Sequence, residues 1–263
     1  MGVGVSDFAA GDSVISCFYP CWEAGPATTA NHAVSLGCEA DGVLAEQVIL
    51  PASALVAKPA TLDFAAAATL PCAGLTAWTA LFSEGGLRPG QDVLILGTGG
   101  VALFALQFAH MAGARTIMTS RSPAKLERAR KLGLDVGITV TDDNWPTQVR
   151  AATKGKGVDL VLELGGASLA QSVACTRTGG RIALIGVRAG LGAQIDIGPI
   201  LFGHIHMTGI TVGHRSDFVA MNRAITQHGL APVIDRTFAF DDAPAAYAAL
   251  SAGDQFGKVA ITF

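Results

Sequence analysis

No apolar stretch in this chain reaches the roughly eighteen residues of a membrane-spanning helix, although half of its residues are hydrophobic. The apolar residues fall instead in short runs of Ala, Val, Ile and Leu, the pattern of an α/β core, so no membrane partner is expected. Charge is scarce as well. Only 15 % of residues are Asp, Glu, Lys or Arg, the net charge is −3, and no basic run occurs. Nothing therefore points to nucleic acid or another polyanion, and a small-molecule substrate is expected instead. The opening Met1-Gly2-Val3-Gly4-Val5 lacks a basic region followed by a long apolar stretch, so no signal peptide is read and the expected location is cytoplasmic. The five cysteines form no C-x-x-C pair. Cys17 and Cys21, with His32 and Cys38 nearby, read as buried, inert cysteine more readily than as a metal site. No G-x-S-x-G nucleophile motif is present, and the only two phenols, Tyr19 and Tyr247, lie in no motif that assigns them a catalytic role.

What the chain does have is glycine in a telling place. Asp92-Val93-Leu94-Ile95-Leu96 reads as a buried strand, Gly97-Thr98-Gly99-Gly100-Val101 as a tight turn, and the apolar run through Ala109 as a helix. A dinucleotide's pyrophosphate needs this arrangement. The chain must turn at Gly97, backbone N–H groups must approach phosphate oxygens at Gly99, and the positive end of a helix must face the anion. The third position of the G-x-G-x-x-G/A pattern is Ala102, still small enough for helix to lie close on strand.

From there the pattern alternates. Strands are predicted at 92–96, 116–120, 136–140, 159–164, 181–186 and 207–212, with helices at 101–112, 122–132, 144–153, 167–176 and 216–228. Ser122 is the expected N-cap of the second helix, with Pro123 at its first position. The fold class is α/β, a Rossmann doubly wound parallel six-stranded sheet, which binds ligands at the carboxyl ends of its strands. The first seventy or so residues are mainly β and loop, with strand-like runs at 13–18 and 46–50, and a helical stretch at 64–83 leads into the nucleotide domain. The tail holds a helix at 242–252 and a final strand that needs a partner outside the nucleotide fold. The first and last segments share one domain, giving 1–71, 72–213 and 214–263 as the divisions.

Ser120 ends the second strand, twenty-one positions after Gly99. An NAD site usually places Asp or Glu there to accept both ribose hydroxyls. This chain has Ser120-Arg121, with Lys125 one helical turn on. A serine hydroxyl and two cations suit a 2′-phosphate that a carboxylate would repel, so NADP(H) is favoured over NAD(H). The alternative is that Ser120 and Ser122 only cap the helix while Arg121 and Lys125 are solvated. Gly165, Gly186, Val187 and Val212 end later strands, where small residues leave room for ribose and nicotinamide, or simply serve turn geometry. His204-Ile205-His206 lacks a third ligand at suitable spacing and reads as structural.

These residues resemble the medium-chain dehydrogenase/reductase superfamily, in its zinc-independent quinone oxidoreductase-like and alcohol dehydrogenase-like branch. The resemblance runs nearly end to end, on Val3 through Val14, Asp41-Gly42-Val43-Leu44-Ala45-Glu46, Ala67 through Trp78, Gly97 through Val101, and Gly257-Lys258-Val259. It implies a partial GroES-like β domain beside the Rossmann domain, a nicotinamide cofactor without zinc, and a homodimer. It also implies that Thr76 approaches the nicotinamide end, where the alternative is a core threonine, and that Lys258 lies near the cleft, where the alternative is a solvated lysine. Relatives carry a further portion ahead of the stretch matching residues 3–14, so a shortened catalytic domain is expected. The function implied is NADPH-dependent hydride transfer to or from a small carbonyl, quinone or enone. The rivals are an alcohol dehydrogenase-like enzyme and a dinucleotide-binding protein without turnover.

Overall fold

Of the two strands expected early in the chain, only the first forms where the sequence places it. β1 (Val14–Ser16) pairs antiparallel with β2 (Leu55–Ala57), Ile15 opposite Val56, and residues 46–50 form no strand. Burial decides between them. Val56 is 1 % exposed and Ile15 7 %, so this pair has an interior to face, whereas Ile49 is fully exposed. The computed structural model describes residues 2–186, 190, 192 and 194–263. Val187 therefore lies outside the described residues. The chain divides into two units, Met1–Leu75 with Val212–Phe263, and Thr76–Thr211.

The expected helical stretch at 64–83 is not one regular helix. α1 (Phe64–Ala67) is capped by Asp63, whose carboxylate accepts from the Ala66 N–H at 2.7 Å. A π-turn follows at Leu70–Gly74, then α2 (Leu75–Trp78) and a second π-turn at Thr79–Ser83. Pro71 supplies no N–H to the helical ladder, which accounts for the first irregularity.

The Thr76–Thr211 unit is built on β3 (Asp92–Leu96), α3 (Gly100–Met111), β4 (Arg115–Ser120), α4 (Pro123–Arg130), β5 (Val136–Thr139), α5 (Trp145–Ala152), β6 (Val158–Glu163), α6 (Leu169–Cys175), β7 (Thr176–Leu184), α7 (Ile197–Phe202) and β8 (His206–Gly209). The six strands are ordered β5-β4-β3-β6-β7-β8, and neighbouring strands pair in parallel. A parallel sheet covered on both faces needs continuous apolar strands, and Val93, Leu94 and Ile95 are fully buried. α3 is apolar nearly all round, and Phe104 stacks on Phe108, which meets Trp78 edge-on. Two details depart from the sequence pattern. β7 begins at Thr176 rather than 181, because its pairing with β6 shifts register between Val158 and Leu160 and absorbs Thr178-Gly179-Gly180. α7 was not anticipated; Gly198 and Pro199 inside a six-residue apolar run conceal its period, while the Asp196 carboxylate caps it through the Gly198 N–H at 2.9 Å.

The remainder returns to the first unit as α8 (Arg215–His228), β9 (Ile234–Ala239), α9 (Ala243–Ala252) and β10 (Lys258–Thr262). β10 finds its partner in β9, in parallel. Arg215 Nε donates to the Leu55 carbonyl at 2.8 Å and Asn222 Nδ2 to the Ala57 carbonyl at 3.1 Å, tying α8 to β2. An apolar groove of about 920 Å3 in this unit is lined by Leu44, Phe64, Tyr247, Leu250 and Phe263. Among the described residues, no helix is long and apolar enough to cross a membrane.

Candidate cofactor site

The sheet grows outward from β3 through β4 to β5, then the chain returns and lays β6 on the other side of β3. The carboxyl ends of β3 and β6 thus flank the point where strand order reverses, the crevice that such sheets use for ligands.

At the end of β3, Gly97 adopts φ +83, a conformation that side-chain-bearing residues rarely reach, and its N–H donates to the Thr119 carbonyl of β4 at 2.9 Å. Thr98 is buried. Gly99 is the N-cap of α3, its carbonyl accepting from the Leu103 N–H at 3.0 Å, and a Cβ built on it meets nothing within 4 Å. No side chain caps this helix. The first-turn amides of Gly100 and Val101 therefore have no partner within the helix and stand at its positive end, beside open space of the kind an anionic phosphate requires.

Ser120 closes β4 and is 9 % exposed. Its Oγ accepts from the Ser122 N–H at 3.1 Å, which leaves its own proton to donate. Ser122 is the N-cap of α4, accepting from the Lys125 N–H at 3.4 Å, with Pro123 at the first position as the sequence predicts. Arg121 is exposed and Lys125 half-buried. The turn after β4 thus holds a buried hydroxyl flanked by cationic residues, and no carboxylate ends the strand.

At the end of β6 the structure adds a residue that the sequence reading passed over. Glu163 is fully buried. Its Oε1 accepts from the Gly165 and Gly166 N–H groups, both at 2.9 Å, and from Ser168 Oγ at 2.9 Å; its Oε2 accepts from Ser168 Oγ at 3.1 Å and from Ser172 Oγ. The available signal was Ser168 and Ser172 at helical spacing, just downstream of a carboxylate that ends an apolar strand. Gly186, past the end of β7, donates its N–H to the Glu163 carbonyl at 3.1 Å.

Thr76 is buried, and its Oγ1 donates to the Thr211 carbonyl, just past β8, at 3.4 Å. Val212, the next residue, is buried as well. Lys258 belongs to the first unit, where burial lowers the pKa of its ammonium and the nearby Cys72 opposes that shift. His204, at φ +47, and His206 are exposed. Cys17 is buried, which pushes its thiol up to about 11, whereas Cys21 and Cys38, expected to be buried with it, are exposed. Among the described residues no three of His, Cys, Asp and Glu come together as a metal-binding group.

Residues 100–227 match the family model described as zinc-binding dehydrogenase. The chain is 40 % identical over 270 residues to a zinc-type alcohol dehydrogenase-like protein of Schizosaccharomyces pombe, covering 99 % of this chain and 78 % of the relative. Among solved structures, it is similar to a protein of Sinorhizobium meliloti 1021 assigned as an alcohol dehydrogenase, at 45 % identity and a TM-score of 0.95, over 100 % of this chain and 78 % of that one. An NAD-dependent alcohol dehydrogenase is 32 % identical with a TM-score of 0.87, over 100 % and 79 % of the two chains. A 2-octenoyl-CoA carboxylase/reductase solved with NADP and 2-octenoyl-CoA is 27 % identical with a TM-score of 0.86, over 99 % and 64 %.

Proposed function

Because this chain belongs to the alcohol dehydrogenase-like family of medium-chain dehydrogenases/reductases, we propose that it is an NADPH-dependent oxidoreductase acting without zinc on a small carbonyl, quinone or enone. The single observation that carries the cofactor choice is Ser120-Arg121 at the end of β4, a hydroxyl and a cation where an acid would select the unphosphorylated ribose. The NADP bound by the 2-octenoyl-CoA carboxylase/reductase supports the same choice.

In this reading Gly97 turns the chain, the amides at the start of α3 hold the pyrophosphate, and Ser120, Arg121 and Lys125 receive the 2′-phosphate. The turns at Gly165 and Gly186 form the floor for ribose and nicotinamide. Bound there, the cofactor supplies or accepts the hydride. The residues around it position the ring and exclude water, so proximity rather than a nucleophile provides the acceleration.

A second reading, oxidation of an alcohol, is favoured by the likeness to an NAD-dependent alcohol dehydrogenase. Turnover assays separate the two. The proposal expects oxidation of NADPH in the presence of quinones or enones, insensitive to chelators. Chelator-sensitive reduction of NAD by secondary alcohols would replace it with the second reading. NADPH binding without any oxidation would leave a dinucleotide-binding protein.

A further inference from the structure

Glu163 is a carboxylate at the end of a parallel strand with no exposure to solvent and no cation among its hydrogen-bond partners. Burying such a charge is costly, and a strand end has no need of one. Its partners explain its presence. Two of the bonds come from consecutive backbone amides, Gly165 and Gly166, and the others from the hydroxyls of Ser168 and Ser172. All are donors, so the ionised carboxylate satisfies them at once. The side chain is the template around which the turn after β6 is wound.

That turn has little freedom. Gly166 sits at φ +86, and a Cβ on it would lie 2.9 Å from the Gly190 carbonyl oxygen and 3.1 Å from that of Gly186. The backbone of Glu163 joins the same structure, its carbonyl accepting from Ile185 at 3.0 Å and Gly186 at 3.1 Å. One residue therefore sets both the turn after β6 and the exit of β7, and the first of these borders the strand-order reversal opposite Gly97.

We propose that Glu163 is a positioning residue that fixes the Gly165-Gly166 turn as the seat of the nicotinamide half of the cofactor, leaving the adenosine half to the β3 and β4 edges. The inference rests on the dinucleotide reading above. It differs from that reading in assigning one half of the ligand to one buried side chain.

The test compares equilibrium binding of NADPH with that of 2′-phospho-ADP-ribose, which lacks nicotinamide, to the wild-type chain, Glu163→Gln and Glu163→Leu. Losing the acceptor for two amides should weaken NADPH about tenfold or more in Glu163→Leu and leave the fragment within about twofold. Glu163→Gln keeps the volume and one acceptor oxygen, and the serines can turn to accept from its amide. It should therefore recover most of the NADPH affinity lost in Glu163→Leu, or, if Glu163→Leu fails to fold, show a smaller loss of about threefold with fragment binding unchanged. Equal weakening of both ligands, a purely structural effect, overturns the inference, as does unchanged NADPH binding in both variants. A wild-type chain that binds the fragment but gains nothing from nicotinamide overturns the inference alone. A wild-type chain that binds neither ligand overturns the dinucleotide reading as well.

Discussion

The α-carbon of Gly186 faces the Leu164 carbonyl so closely that a Cβ built there would fall 1.6 Å from its oxygen. The exit of β7 and the turn after β6 are in backbone contact, and any side chain at 186 must force them apart. Gly186→Ala should therefore destabilise the protein by about 2 to 3 kcal/mol and weaken NADPH binding, measurable by denaturant unfolding and fluorescence titration. A fully stable Gly186→Ala variant would show that this edge of the sheet yields easily.

If the turn after β4 selects the phosphorylated ribose as proposed, Ser120 is the position at which that choice can be reversed. Ser120→Asp places a carboxylate at the end of β4, which should weaken NADPH about tenfold or more and improve NADH. Arg121→Ala should weaken NADPH and leave NADH unchanged, because only the phosphorylated ribose needs the cation. Unchanged NADPH binding in Arg121→Ala would return Arg121 to the role of a solvated side chain.

Arg150, on α5, ties that helix to the loop before β6 and to the junction of α6 with β7. Its guanidinium donates to the carbonyls of Ala174 at 2.8 Å, Gly155 at 3.0 Å, Lys156 at 3.1 Å and Thr176 at 3.3 Å. Arg150→Met keeps much of the stem and removes every one of these bonds. A loss of about 2 to 3 kcal/mol is expected in chemical denaturation, with NADPH affinity unchanged at a temperature where the variant is folded.

The cysteines should divide by burial. Cys21, Cys38 and Cys72 are exposed, whereas Cys17 and Cys175 are buried. A thiol reagent at pH 8 should label three groups quickly and two only on unfolding. Burial pushes the Cys175 thiol up from 9.0 to about 12. A proton held longer in the folded state stabilises it fully below pH 9, and that contribution is lost as the pH rises toward 12, by about 1.4 kcal/mol per unit. Unfolding free energy should therefore fall above pH 9, and Cys175→Ala, despite the cost of its cavity, should flatten that slope.

Much of the sheet is legible in the sequence because parallel strands buried on both faces must be continuously apolar. Val93 through Leu96 and Leu160 through Leu162 could hardly be anything else. The start of α4 is equally plain from Ser122-Pro123, and the turn at Gly97 from the Gly97-Thr98-Gly99-Gly100 run that follows an apolar strand. The three-residue strand Leu55–Ala57 is too short to carry a period, and residues 46–50 imitate one without an interior to face. α7 is hidden by its own Gly198 and Pro199. Glu163 is invisible for a different reason: its role comes from five hydrogen bonds that exist only once β6, the following turn and α6 are assembled.

On the proposed reading, the turn after β4 receives a phosphorylated ribose while bare amides at the start of α3 hold the pyrophosphate. Calorimetric titration of the intact chain with NADPH and with NADH tests it most directly. NADPH is predicted to bind at least about tenfold more tightly, with a preference that shrinks as salt is raised. Equal affinity for the two coenzymes, or tighter binding of NADH, would contradict it.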